Sequence, residues 1–478
     1  MTTKVKPMRN SNARTPRLLS LSVLALLAGC SMAPIYERPP APVAAQWPAS
    51  SADNTAATTA AADMAWQDFV GDARLRELVT LALDNNRDLR VALAAIEQAR
   101  AQYQIRRADQ LPTINAAVAG NRQPSSDGES ISSAYTAGLA MASWELDFFG
   151  RVASLKDAAL AQFLATQEAR NAVQTSLIAS VVSTWLSLQT NNELLALTQR
   201  TLATRQDSLR LNRMRFEQGV TSALDLRQAE SLTAAAQATL AQQRRLRALD
   251  VNALTQLVGQ PLPETLLAAP AIPAAQSLHD VPVGMPSDLL ERRPDIRQAE
   301  QQLIAANANI GAARAAFFPR IALTASAGTA SGALSGLFQS GAWGWTLAPQ
   351  AVLPIFDAGR NQAALESAQA GREMALAQYE KAIQGAFREV ADALAGQATL
   401  GEQVRAQQAQ ADAEADRFRL ADLRYRNGVA SYLDVLDAQR ALFATQQALA
   451  QTQLAQQQNR VALYKALGGG WSAQAPQL

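Results

Sequence analysis

Two proline-free stretches of equal length set the terms for any fold this chain can adopt. Between Gly150 and Gly219 lie 68 residues, and between Gly359 and Gly428 lie 68 more, with no proline in either stretch. As continuous helices with a rise of 1.5 Å per residue, each would be roughly 100 Å long. One globular core cannot cover such a helix, so each requires partner helices along its length. Ala, Leu, Gln and Arg dominate the composition and all favour helix, whereas aromatics make up only 5%.

The equality of the stretches reflects a repeat of the whole chain. Leu146-Asp147-Phe148-Phe149-Gly150-Arg151 returns as Ile355-Phe356-Asp357-Ala358-Gly359-Arg360, and the glycines are displaced by 209 residues. Phe216 to Ser222 returns as Tyr425 to Ser431, again with glycines 209 apart, followed by Leu224-Asp225 and Leu433-Asp434. Asp88-Leu89-Arg90 matches Asp295-Ile296-Arg297, and Pro112 matches Pro319. Three separated patches keep their order and spacing, so the chain is two tandem copies of a unit of about 200 residues.

Within the first long stretch Val181, Leu188, Leu195, Leu202, Leu209 and Phe216 recur every seven residues. Val390, Gln397, Val404, Ala411, Phe418 and Tyr425 hold the same phase more weakly. A seven-residue period implies a left-handed supercoil. The companion positions Asn191, Thr198, Arg205 and Asn212 are polar. That argues against a two-stranded coiled coil and for a helix with neighbours on two sides and water on a third.

Ahead of each long stretch the period changes. Ile114, Ala116 and Val118, and then Ile321, Leu323 and Ala325, alternate with their neighbours as strand residues do. Polar, Gly-rich segments (121–133 and 329–341) follow, then second candidate strands over 135–146 and 343–353. Each copy therefore holds a hairpin of membrane-strand length. Four strands cannot close a barrel, which needs at least eight, so two or three chains must contribute. Tyr135, Trp144, Phe148, Phe149, Trp343 and Trp345 fall near the strand ends, where membrane barrels carry aromatic girdles.

The N-terminus adds an address. Lys4, Lys6, Arg9, Arg14 and Arg17 precede an apolar run from Leu18 to Leu27 that is too short to span a bilayer. Leu27-Ala28-Gly29-Cys30 closes it, and Cys30 is the one cysteine of the chain. This ending resembles the lipobox of bacterial lipoproteins. The resemblance implies a signal peptide over 1–29 and a lipid on Cys30, and Ser31 after it implies release to the outer membrane.

Enzymatic chemistry lacks parts: one histidine (His279), no thiol once Cys30 is lipidated, no phosphate loop and no clustered metal ligands. Carboxylate pairs such as Asp412/Glu414 and Glu414/Asp416 sit on the long helix as a solvated face. A net charge of +2 gives no field for nucleic acid. We expect no enzyme, no metal and no cofactor beyond the lipid.

Pro34 to Pro39, Glu291-Arg292-Arg293-Pro294-Asp295-Ile296, Ala306 to Gly311 running on to Phe318-Pro319, and Tyr425 to Asp437 together resemble the TolC/OprM family of outer-membrane efflux proteins, in its lipoprotein branch. The resemblance implies an α+β membrane protein: a trimeric 12-stranded β-barrel continued by a 12-helix α-barrel, built from two repeats per chain. Its expected organisation begins with a lipid-anchored segment over 30–75. Repeat 1 (76–260) has its hairpin at 112–149, long helix at 151–218 and return helix at 221–258. An equatorial linker covers 261–286. Repeat 2 (287–467) has its hairpin at 319–358, long helix at 360–427 and return helix at 431–467, before a tail over 468–478. The implied partners are two further copies, a periplasmic adaptor, an inner-membrane RND-type pump and outer-membrane lipid.

By the same resemblance the turns Gly219, Val220, Thr221, Ser222 and Gly428, Val429, Ala430, Ser431 form the periplasmic tip where the adaptor docks. Glycine is what a helix end prefers when the chain turns back, and Thr221-Ser222 and Ser431 suit the start of the next helix. Leu433, Asp434 and Asp437 match the closed constriction. There a leucine ring would block by dewetting, and an aspartate ring would bind cations and repel anions. Asp225 and Tyr425 match residues that bond between neighbouring helices of the closed tip. Ala430 replaces the arginine that completes that lock, leaving Arg424 or Arg426 as substitutes. Two other readings stand beside the efflux duct: the outer-membrane duct of a type I protein secretion system, and a lipid-anchored periplasmic adaptor.

Overall fold

The computed structural model describes residues 31–44, 47, 64–124, 131–268, 277–281 and 288–471. The signal segment, Cys30 and half of the linker fall outside them. Its elements are α1 (Trp66–Phe69), α2 (Ala73–Asn85), α3 (Arg87–Ala108), β1 (Ile114–Pro124), β2 (Ile131–Leu146), α4 (Arg151–Glu217), α5 (Ala223–Val258), α6 (Glu264–Leu267), α7 (Asp288–Arg292), α8 (Pro294–Ala315), β3 (Arg320–Ser331), β4 (Trp343–Val352), α9 (Arg360–Arg426) and α10 (Tyr432–Ala466). The long helices α4 and α9 have 67 residues each. Helix α2 starts ahead of the expected residue 76, because Asp72 Oδ1 accepts the N–H groups of Arg74 (2.8 Å) and Leu75 (3.1 Å).

Two compact units share the chain. The first holds the segment up to Pro39, residues 97–165 and residues 300–378. Its four strands make one antiparallel sheet in the order β1-β2-β3-β4, so the hairpins of the two repeats pair with each other through β2 and β3. Ladder pairing carries β1 to Pro124 and β2 back to Ile131, into the segment whose polarity suggested a loop. Val118 is 82% exposed and Ile114 66%, so apolar residues of β1 lack cover within the chain. Trp343 and Trp345 sit at one end of β4, opposite Thr329 and Ala327. At the other end Phe149 stacks on Phe318, with ring centroids 4.8 Å apart. Glu145 there ties the sheet to the start of α4, accepting from Arg151 at 2.7 Å and Arg320 at 2.6 Å.

The Pro34–Pro39 motif becomes a strap on α8 in this unit. Arg38 grips Glu300 with two nitrogens, at 2.7 and 3.0 Å, and Tyr36 OH donates to the same carboxylate at 3.1 Å. Asn307 Nδ2 donates to Pro34 O at 2.7 Å. Gly311 leaves room for the strap: a Cβ there would lie 2.7 Å from Ala33 Cα and from Ser154 Oγ.

The second unit holds residues 40–96, 166–299 and 379–478. Its core joins the repeats near the far ends of the return helices. Phe69 stacks on Tyr464 at 4.1 Å, and Trp185, Leu254 and Ile296 are fully buried. Buried Arg293 donates to Asp295 (3.0 and 2.6 Å), to Glu389 (2.9 Å) and to Ala466 O (2.9 Å).

Farther along, the seam of the α4/α5 hairpin is polar, and here the structure corrects the heptad reading. Thr198, Arg205 and Asn212 are buried, whereas Leu195, Leu202 and Leu209 are half-buried and Phe216 is 41% exposed. Thr198 and Asn212 donate to Leu194 O and Ser208 O of their own helix, and Arg205 reaches the return helix. Arg205 Nη1 donates to Leu232 O (2.9 Å), and Thr233 Oγ1 donates to Ala229 O (2.8 Å) and lies 3.4 Å from Arg205 O. Asn191 bonds Asp250 at 2.6 Å, and Arg247 bonds Asn192 at 2.9 Å. Buried polar groups need such partners. Of the seven-spaced apolar row, Val181 and Leu188 are buried within the chain, and Leu195 to Phe216 are left for neighbours outside this hairpin.

Candidate functional site: the paired helix turns

Helices α4 and α9 end alike. Gly219 has φ +72° and Gly428 φ +74°, the left-handed conformation that glycine adopts freely. Val220 N–H donates to Arg215 O (2.8 Å) and Gly219 N–H to Phe216 O (2.9 Å). Val429 and Gly428 repeat the pair onto Arg424 O and Tyr425 O, both at 2.9 Å. This is the bonding of a Schellman cap, and it reverses the chain in two residues. Val220 and Val429 stand 68% exposed at the apices. Nothing lies within 4 Å of a Cβ built on Gly219. Gly219→Ala therefore pays backbone strain alone, about 1 kcal/mol. Thermal unfolding should show that loss, and Gly219→Asn, which tolerates the left-handed region, should recover much of it.

The return helices start from serine caps. Ser222 Oγ accepts from Asp225 N–H at 3.2 Å. Asp225 Oδ2 in turn accepts from Ser222 Oγ (2.7 Å), Ser222 N–H (3.4 Å) and Thr221 Oγ1 (2.9 Å). The Ser222 hydrogen bond is the main reason the Asp225 carboxyl lies below the usual range. The partners of Asp225 thus belong to its own turn. Ser431 Oγ caps α10 by accepting from Asp434 N–H at 3.4 Å.

Leu433, Asp434, Asp437 and Ala430 line one concavity of about 900 Å³ between α9 and α10, together with Arg417 and Arg424. Leu433 is 54% exposed there. Asp437 is not a bare carboxylate: Arg417 holds Oδ2 at 2.6 Å and Arg440 holds Oδ1 at 2.6 Å, while Glu414 pairs with Arg417 at 3.1 Å. The Arg417 hydrogen bond leads the effects that keep the Asp437 carboxyl below its ordinary range. These ion pairs persist above that range and are lost only as pH falls through the lowered value.

Of the two arginines expected to substitute at Ala430, Arg426 pairs with Asp422 at 2.8 Å, and Arg424 is exposed in the concavity. The arginine on Tyr425 is instead Arg215, whose Nη1 donates to the Tyr425 hydroxyl and whose Cζ lies 5.4 Å from the ring centroid. Tyr432 packs beside Tyr425, centroids 5.2 Å apart. Sequence reasoning missed Arg215, Arg417, Arg440 and Tyr432. For Arg417 a signal existed: residues at similar distances before and after a turn face each other across a helical hairpin, and Arg417 and Asp437 stand 11 and 9 residues from Gly428.

The family model for outer membrane efflux proteins matches the chain twice, over residues 78–260 and 285–469. The chain belongs to the outer membrane efflux protein family. It is 48% identical over 472 residues to a probable efflux pump outer membrane protein, TtgC of Pseudomonas putida, with 97% of each chain covered. It is 46% identical over 460 residues to outer membrane protein OprJ of Pseudomonas aeruginosa, covering 95% of each. Its fold superposes on the open state of the MtrE outer membrane channel of Neisseria gonorrhoeae with TM-score 0.85 at 41% identity, over 92% of this chain and 99% of that one. This outer membrane efflux protein is thus a member of a family of ducts and not of an enzyme family, and the outer membrane is its location. The two matches of the family model fall one on each repeat.

Proposed function

We propose that the chain is the outer-membrane channel of a tripartite efflux system, passively conducting cargo from an inner-membrane RND-type pump through a periplasmic adaptor to the outside. Three copies close three four-stranded sheets into a 12-stranded barrel, and their twelve long and return helices form an α-barrel through the periplasm. The observation that carries this reading is the sheet itself. It has two unpaired edges, β1 and β4, and apolar residues bare of any cover, and both features are satisfied when β4 of one copy pairs with β1 of the next inside lipid. A lipid on Cys30 anchors the strap to the same membrane.

The turns at Gly219–Ser222 and Gly428–Ser431 meet the adaptor, and threefold symmetry turns Leu433, Asp434 and Asp437 into a closing constriction. With Arg417 and Arg440 bound to Asp437, that constriction is a ring of ion pairs with leucine above it, less acidic than aspartates alone would make it. Leu433→Ala with Asp437→Ala should raise single-channel conductance of purified trimers in planar bilayers and admit vancomycin to cells. Wild-type conductance in that double variant, or a particle that is not a trimer, would sink the proposal. No arrangement of residues here favours the protein-secretion duct over it.

A further inference from the structure

We infer that Arg215 is the latch between the two hairpin tips of one protomer, a positioning residue for the closed state acting through Tyr425. The inference rests on the channel reading above and deepens it. Asp225, the residue that the family resemblance assigns to this contact, has its carboxylate turned into the α5 cap by Thr221 and Ser222. Ala430 offers no donor. What joins the end of α4 to the end of α9 is the guanidinium of Arg215. It lies in the last turn of α4, donates to the Tyr425 hydroxyl and lies close to the Tyr425 ring. Tyr432, in the first turn of α10, packs beside that ring. Arg215 and Tyr425 are both half-buried, so the contact is partly screened from water and stronger for it.

The repeat shows why the latch is single. Counted from the two glycines, Arg424 occupies the place of Arg215, and Phe216 occupies the place of Tyr425. The equivalent pair of the other polarity, Arg424 with Phe216, has the cation but no hydroxyl to accept from it. Phe216 is 41% exposed and Arg424 lies in the concavity with Leu433. Among the described residues this arginine–tyrosine bond thus occurs once per chain, and a junction built from the reciprocal pair lacks it. The tips of a protomer are expected to stay together longer than the tips of adjoining protomers.

The test uses intact trimers in planar bilayers, with Arg215→Ala, Tyr425→Phe, the two combined, and Arg215→Lys. Tyr425→Phe removes one oxygen and keeps the ring, so it leaves folding intact. Each single variant should raise the open fraction about tenfold, the change expected for one charge-assisted hydrogen bond. The combined variant should raise it no further, and Arg215→Lys should recover part of the closure. Trimer melting, read by heat-modifiable migration, should be unchanged, which a merely structural role would not allow. If the Leu433→Ala, Asp437→Ala variant opens the channel while Tyr425→Phe and Arg215→Ala leave it closed, the latch is wrong and the gate stands. Additive effects of Arg215→Ala and Tyr425→Phe would also overturn it. If none of these variants opens the channel, the gate reading fails and takes the latch with it.

Discussion

Gly138→Val should abolish the assembled sheet. Gly138 faces Gly328 directly across the β2/β3 ladder, and Gly328 faces Gly344 across β3/β4. A Cβ on Gly138 would press on Ala327 O and lie 2.6 Å from Gly328 Cα, and a Cβ on Gly328 would meet Ala137 O and Gly138 Cα in the same way. These obstacles are backbone, held by hydrogen bonds on both sides, so they cannot swing away as a side chain does. At Gly120 the neighbour is the ring of Tyr135 at 3.1 Å, which can give, and at Gly344 nothing lies within 4 Å. The valine should therefore cost upward of about 3 kcal/mol of sheet stability, at the top of the overpacking range. Because β2/β3 is the pairing that joins the two repeats, the visible result is loss of heat-resistant oligomer from outer-membrane fractions. Normal oligomer levels in Gly138→Val would show that the two strands separate at this row more readily than the register implies.

Arg293→Ala is expected to cost about 3 kcal/mol, seen as a lowered unfolding temperature of the purified protein. Arg293 is 5% exposed and serves three acceptors at once, Asp295, Glu389 and Ala466 O. The Asp295 and Glu389 side chains keep 42% and 45% of their surface exposed, which places the cost at the low end for breaking a buried pair. Its pH dependence distinguishes this mechanism from simple loss of packing. Burial pushes the Asp295 carboxyl up, but the hydrogen bonds and charge of Arg293 outweigh it and hold the group below its ordinary range. In the wild type that contribution is present at neutral pH and lost as pH falls through the lowered value. In Arg293→Ala burial is opposed only by backbone N–H donors such as that of Ile296, the carboxyl rises, and acidification relieves the uncompensated charge. The gap between variant and wild type should narrow toward about pH 4, near the free carboxylate value. A gap independent of pH would mean that Arg293 acts only by filling space.

Much of this architecture could be read from residue order because its punctuation is strong. Equal proline-free runs between glycines, and caps of serine followed by aspartate, specify long helices and where they turn. What stayed hidden has a common physical cause: it depends on which elements meet, not on what each one is. The pairing of β2 with β3 joins hairpins about 200 residues apart, and no local pattern announces it. Arg215 and Tyr425 are 210 residues apart and became partners only once the turns lay side by side. The polar row Thr198, Arg205 and Asn212 misled for a different reason. A heptad rule assumes that the apolar row fills the nearest seam, but here the two helices lie close enough for Arg205 to reach Leu232 O across it, while Thr198 and Thr233 donate to carbonyls of their own helices. Arg205 and Thr233 stand 14 residues on either side of Gly219, a symmetry that would have disclosed the seam. The constriction residues came from resemblance to a family and not from spacing.

The equal 67-residue lengths of α4 and α9 carry an evolutionary consequence. Adding one heptad to either helix preserves its pattern but displaces its turn by about 10 Å. Arg215 would then pass Tyr425 by two helical turns. A lineage can lengthen or shorten this protein only by changing both halves together, so an ancient duplication that freed each copy to vary in residue has bound them permanently in size.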